Sequence, residues 1–131
     1  MTLSELATVS RLRLPIKMFV VNNHVLGLVR QWQDMFFDDR FNAIDLDGNP
    51  DFVKLAKAYG IFAQNLKRPA DIPRVLRRAL DFPGPALVNV ECPRDDSVYP
   101  MVPPGAALSD MILAPPPPRR GRPPKRGTQE K

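Results

Sequence analysis

The sequence predicts an α/β fold with a parallel sheet flanked by helices. Two short apolar runs, Ile16 to Val21 and Pro85 to Val90, read as strands buried on both faces. Around them, apolar residues recur at helical spacing. The resulting order is helix, strand, helix, helix, strand, helix, strand, the pattern of a layered α/β domain.

Each element has its own signals. Thr2-Leu3-Ser4-Glu5 has the form of a capping box, and Leu3, Leu6, Ala7 and Val9 give the helix after it one apolar face. Pro15 is expected to end that helix. The first strand, interrupted only by Lys17, is bounded by Pro15 and by Asn22-Asn23. A helix over about 26–37 carries Leu28, Val29, Trp32 and Phe36 at helical spacing, and 38–48 is polar and reads as a loop. Asn49-Pro50-Asp51 marks the next helix start, with Asn49 as the expected N-cap and Pro50 in the first turn. Phe52, Leu55, Ala56 and Tyr59 form its apolar stripe, and Gly60 stops it. Ile61 to Leu66 is a short strand. Asp71 is expected to cap a helix bearing Ile72, Val75, Leu76 and Ala79. A chain of this type normally starts on a strand. Starting on a helix suggests a beginning inside a domain.

The 131 residues suffice for one domain. The 44% hydrophobic and 25% charged content is that of a globular protein, which argues against a wholly disordered chain. The single cysteine, Cys92, cannot form an internal disulfide. No apolar run is long enough for a bilayer, and the N-terminus lacks signal-peptide regions, so a soluble, cytoplasmic protein without a membrane partner is expected. Of 19 Lys and Arg and 14 Asp and Glu, six basic residues and one acidic residue lie in 119–131, which leaves 13 of each sign elsewhere. The net charge of +5 therefore belongs to the tail, and the body offers no bulk charge for nucleic acid. Residues 113–131, with Pro115 to Pro118 and the basic run, have little to bury and read as a disordered tail behind a domain at 1–112.

The stretch from Val20 to Gln33 carries the most chemical information. A buried parallel strand delivers Asn22 and Asn23 to its C-terminal end, where ligand sites of open α/β sheets lie. An Asn carbonyl is a hard neutral donor suited to Mg²⁺. The same pair also suits a simple Asx-type turn.

Asn22-Asn23, with Gly27-Leu28-Val29-Arg30-Gln31-Trp32-Gln33, Asn49 to Ala56 and Tyr99 to Leu108, resembles the acetolactate synthase large subunit. The likeness covers about residues 1–112, and Asn22-Asn23 is similar to the close of that family's thiamine-diphosphate motif. The resemblance implies the C-terminal part of a thiamine-diphosphate-binding fold. It also implies an enzyme that condenses two pyruvates to 2-acetolactate with release of CO2, or pyruvate with 2-ketobutyrate to 2-aceto-2-hydroxybutyrate, in branched-chain amino-acid biosynthesis. The implied cofactors are thiamine diphosphate, Mg²⁺ and FAD, the last bound mostly outside this chain. A homo-oligomer with a regulatory small subunit is the implied assembly.

Carried over by position, the Asn23 side chain and the Val25 carbonyl would be Mg²⁺ ligands. Gly27 and Leu28 would lie at the cofactor, Leu28 standing where the family has Met. Trp32 would line the substrate channel rather than pack in a core, as spacing alone suggests. The family's Gly-Asp-Gly, whose Asp is the charged metal ligand, does not occur in these residues. The Glu that activates the cofactor belongs to another domain of the family. No catalytic residue is therefore assigned to this chain, and by itself it is expected to be inactive.

Other residues carry less. His24 has no partner that spacing can identify, Cys92 reads as a buried inert thiol, and Asp38-Asp39 and Asp95-Asp96 read as solvated loops as readily as cation sites. Arg120-Gly121-Arg122-Pro123 resembles an AT-hook core, which makes a non-catalytic module with a DNA-binding tail the alternative function. A basic, solvated extension is the expectation favoured for it.

Overall fold

The computed structural model describes residues 3–115. The expected tail and its AT-hook-like arginines lie almost wholly outside the described residues, as does Thr2. The elements are α1 (Glu5–Arg11), β1 (Lys17–Asn22), α2 (Gly27–Phe36), α3 (Phe52–Ala58), β2 (Phe62–Leu66), α4 (Ile72–Asp81) and β3 (Ala86–Glu91). Short 3-10 turns span Pro69–Asp71 and Leu108–Asp110. The chain divides into two compact units, one of Met1–Val25 with Asp45–Cys92, the other of Leu26–Ile44 with Pro93–Lys131.

In the first unit the strands form a parallel sheet in the order β1-β3-β2. β3 is central, and Ala86, Leu87, Val88 and Asn89 are all buried. Side chains alternate across a strand, so β3 serves two cores. Leu87 packs with Val53, Ala56, Ile61 and Ala63 beneath α3, with Leu6 and Val9 of α1 alongside. Ala86 and Val88 pack with Leu66, Val75 and Ala79 beneath α4. The expected double burial holds for β3 and fails for β1. Met18 and Val20 pack against the α3 core, but Phe19 is exposed and Val21 is 73% exposed. The reason is position: β1 pairs on one side only, and α3 and α4 pack on β2 and β3.

Local chemistry moves several helix ends from their expected places. Ser4, at the first helix's start, makes no side-chain cap. That helix stops before Pro15, at a left-handed Arg13 (φ 48°), where the Leu14 N–H reaches the Val9 carbonyl at 3.1 Å. Asp51, not Asn49, caps α3, its carboxylate accepting from the Lys54 N–H at 2.9 Å. Asp51 is itself extended, so the helix starts beyond Pro50, and the Asn49 N–H closes a turn onto the Leu46 carbonyl at 3.0 Å. Gly60 ends α3 as expected. Its φ of 71° lets its N–H reach the Lys57 carbonyl while Ile61 N–H reaches Ala56, a Schellman closure. Asp71 precedes α4 but makes no backbone cap. Its carboxylate instead holds Arg74 at 2.8 Å and Arg68 at 2.9 Å.

In the second unit α2 inverts its expected pattern. Leu28, Val29, Trp32 and Phe36 are exposed, and the buried residue is Gln31, 1% exposed. Its amide donates to the Val98 carbonyl and accepts the Val98 N–H, both at 2.9 Å, satisfying a backbone segment that belongs to no sheet. Gln33 does the same for Asn42. A bridge between Met101 and Ile112 closes the C-terminal segment.

Two outcomes are expected. Ile61→Ala, at a 2% exposed site, should lower unfolding free energy by about 2–5 kcal/mol in urea titrations. Val21→Ala should stay within about 0.5 kcal/mol. The second concerns acid. The Lys54 N–H holds the Asp51 carboxyl below its ordinary 3.8, and Arg74 and then Arg68 do the same for Asp71. A lowered folded-state value contributes stability that is present above 3.8 and lost as pH falls through the lowered values. The Asp51→Asn/Asp71→Asn double variant should be less stable at neutral pH and should converge on the wild type in acid. Parallel urea midpoints across that range would contradict this.

Candidate functional site

The three strands run parallel, so Asn22, Leu66 and Glu91 end them at one edge. A polar cleft of about 360 Å³ opens there, with Asp47, Asp51, Asn65, Lys67, Asn89 and Glu91 among its walls. Asn22 and His24 border it from the turn that leaves β1. Ligands of open α/β sheets bind at this edge.

The turn is built by its own side chains. Asn22 Oδ1 accepts the His24 N–H at 3.1 Å, and Asn23 Oδ1 accepts the Val25 N–H at 3.2 Å. These are two consecutive Asx-type closures, so the simple turn reading of Asn22-Asn23 is what the geometry shows. It does not exhaust the pair, because an amide oxygen has a second lone pair. His24 sits in the left-handed region at φ 58°. Its carbonyl accepts the Leu46 N–H at 3.0 Å, and Val25 faces Asp45 across an antiparallel bridge. The bonds that fasten the turn use the carbonyls of Asn22 and His24, not that of Val25. Val25 itself is 4% exposed.

His24 has a partner that sequence spacing did not reveal. Its Nε2 lies 2.7 Å from Glu91 Oε2. Glu91 Oε1 accepts from Asn89 Nδ2 at 2.8 Å, and the same nitrogen donates to Asn65 Oδ1 at 2.9 Å. Asn89 is 6% exposed, and its own Oδ1 is buried without a partner among the described residues. The sequence signal for Glu91 was a carboxylate closing an apolar strand, but its proximity to His24 requires the Asn22↔Glu91 register. Cys92, expected to be buried, is half-buried. Its N–H donates to the Asn22 carbonyl at 2.9 Å.

Of the expected site residues, the structure brings Asn23 and Val25 together in this turn. Gly27, Leu28 and Trp32 belong to the second unit. Gly27 and Leu28 open α2, and Trp32 stands edge-on to Phe36 at 6.5 Å between ring centres. Among the described residues no three His, Cys, Asp or Glu side chains gather to hold a metal. The oxygens that this turn could offer a metal are the Asn23 Oδ1 and the Val25 carbonyl. Two hard neutral donors in one turn fit part of a Mg²⁺ shell completed by phosphate and water.

Residues 1–90 match the family described as thiamine pyrophosphate enzyme, C-terminal TPP binding domain. The chain is 42% identical over 112 residues to the acetolactate synthase isozyme 2 large subunit of Escherichia coli (strain K12), covering 86% of this chain and 20% of that protein. It is 42% identical over 113 residues to an acetolactate synthase of Arthrospira platensis, again over 86% of this chain and 20% of the relative. The chain thus spans about a fifth of the length of these relatives. Among solved structures, the Rhodococcus jostii RHA1 thiamine diphosphate-dependent 4-hydroxybenzoylformate decarboxylase shares the fold. Its TM-score is 0.63 at 23% identity, over 72% of this chain and 18% of that one. The match over residues 1–90 places the chain in the thiamine pyrophosphate enzyme family, in its C-terminal TPP-binding domain.

Proposed function

We propose that these residues supply one side of the thiamine-diphosphate and Mg²⁺ site of an acetolactate synthase. The assembled enzyme condenses two pyruvates to 2-acetolactate with release of CO2, or joins pyruvate to 2-ketobutyrate, toward branched-chain amino acids. The observation that carries this reading is the turn after β1, where the Asn23 side chain and a Val25 carbonyl not used in fastening the turn stand together. The identity to acetolactate synthases supports the substrate class.

Thiamine diphosphate, when bound, supplies the carbanion chemistry, and the protein supplies orientation and electrostatics. In this reading Asn23 and Val25 would hold Mg²⁺ with neutral oxygens, and the metal would supply positive charge to offset that of the diphosphate. By the likeness to acetolactate synthases, Gly27 and Leu28 would be cofactor-binding residues and Trp32 a residue of the substrate channel. The exposure of Leu28 and Trp32 is consistent with surfaces that meet something outside this chain. FAD belongs to the proposed enzyme, but no residue here is assigned to it. The proposed setting is a cytoplasmic homo-oligomer with a small regulatory subunit, to which the words "large subunit" in the relatives' names point. No described helix is long and apolar enough to cross a membrane.

The 131-residue chain contains no Gly-Asp-Gly and no assigned activating carboxylate. It should make no acetolactate from pyruvate with Mg²⁺, thiamine diphosphate and FAD, and turnover in a colorimetric acetoin assay would refute this. Joined to the remainder of a full-length acetolactate synthase, Asn23→Ala should weaken Mg²⁺-dependent cofactor binding by at least about tenfold. His24→Ala should weaken it less, and equal affinities would count against Asn23 as a ligand. In the same context Trp32→Ala should shift the ratio of the two products without abolishing activity, because discriminating one methylene commands only about 1–3 kcal/mol. An unchanged ratio would remove Trp32 from the channel.

A further inference from the structure

We propose that Glu91 and His24 are positioning residues, a side-chain relay that locks the Asn22–Val25 turn to the sheet and so holds the Asn23 and Val25 oxygens in place. The proposal rests on the metal-site reading above.

The relay is continuous. It starts at Asn89, buried at 6% exposure in the central strand, whose amide nitrogen bonds Asn65 on β2 and Glu91 on its own strand. It passes through both oxygens of Glu91 and ends on the His24 ring. One chain of side chains thus links the ends of β2 and β3 to the turn that leaves β1. A partly exposed histidine–carboxylate contact alone contributes little. This pair differs in two respects. The Glu91 carboxylate is fixed from behind by a buried amide, which leaves its own Oδ1 unpartnered to make both donations. His24 holds a left-handed backbone, which is uncommon and costly for a residue with a Cβ. The ring and the backbone of His24 are held together: Nε2 by Glu91, the N–H by Asn22 and the carbonyl by Leu46. Residues on either side of it are the two proposed donors. Groups that orient metal ligands act on affinity without touching the metal.

The test uses the 131-residue chain, labelled for NMR, as wild type, Glu91→Ala, Glu91→Gln and Lys67→Ala. Amide exchange without metal reads the relay itself. In Glu91→Ala, exchange at Val25 and Leu46 should speed up by about two- to tenfold, the loss of one hydrogen bond, while Val88 stays protected. Glu91→Gln, which keeps an acceptor, should recover part of the difference. Lys67→Ala, which lines the cleft outside the relay, should match the wild type. The second readout, taken with the chain joined to the remainder of a full-length acetolactate synthase, is the Mn²⁺ concentration that half-saturates thiamine-diphosphate binding. Glu91→Ala should need about two- to tenfold more Mn²⁺. Unchanged exchange at Val25 and Leu46, or an equal Mn²⁺ requirement in wild type and Glu91→Ala, overturns the relay. An Mn²⁺ requirement that Asn23→Ala leaves unchanged overturns the metal reading, and with it the purpose assigned to the relay.

Discussion

The first unit depends on β3. Among the described residues it is the only strand of the sheet with neighbours on both sides, and it joins two strands that do not pair with each other. Its register with β1 sets Asn22 opposite Glu91, and its register with β2 sets Asn65 opposite Asn89. Those two pairings generate the polar edge. Its apolar half, Ala86 to Val88, anchors two cores on opposite faces. Its polar half, Asn89 to Glu91, carries the groups that meet the turn after β1. One six-residue strand therefore divides into a structural end and a chemical end.

That division accounts for the polarity of the edge. Burying Asn89 in a central strand is costly unless its donors are met. Asn65 and Glu91 meet them, and Glu91 in turn receives His24. The polar network is thus tied to the packing beneath it. The turn is shaped from both sides, by its own Asn side chains and by the strand across from it.

The fold was legible in the sequence where a residue's fate depends on near neighbours. The apolar run of β3 and the Gly60 stop are local signals, and the structure follows them. The stripe of α3 holds only in part: Ala56 is buried together with Val53, which the stripe did not include, and Phe52 and Tyr59 are partly buried. The readings that failed needed information from elsewhere in the chain. Whether β1 was buried on both faces depended on its place at the sheet edge, not on the composition of Ile16 to Val21. The exposed stripe of α2 and its buried Gln31 depended on Val98, 67 residues away. The same holds for the site. Asn23 and Val25 could be singled out from the local motif, whereas the partnership of His24 with Glu91, also 67 residues apart, exists only through a strand register.

The central claim is that the turn after β1 offers its oxygens to a cofactor-bound divalent cation. The most direct measurement is anomalous diffraction from Mn²⁺ and thiamine diphosphate bound to this chain joined to the remainder of a full-length acetolactate synthase. The account predicts a metal peak within coordination distance of Asn23 Oδ1 and the Val25 carbonyl, about 2.0–2.2 Å if the site keeps Mg²⁺-like geometry. A peak elsewhere in the cleft, with the Asn23 oxygen still bonded only to the Val25 N–H, would contradict it.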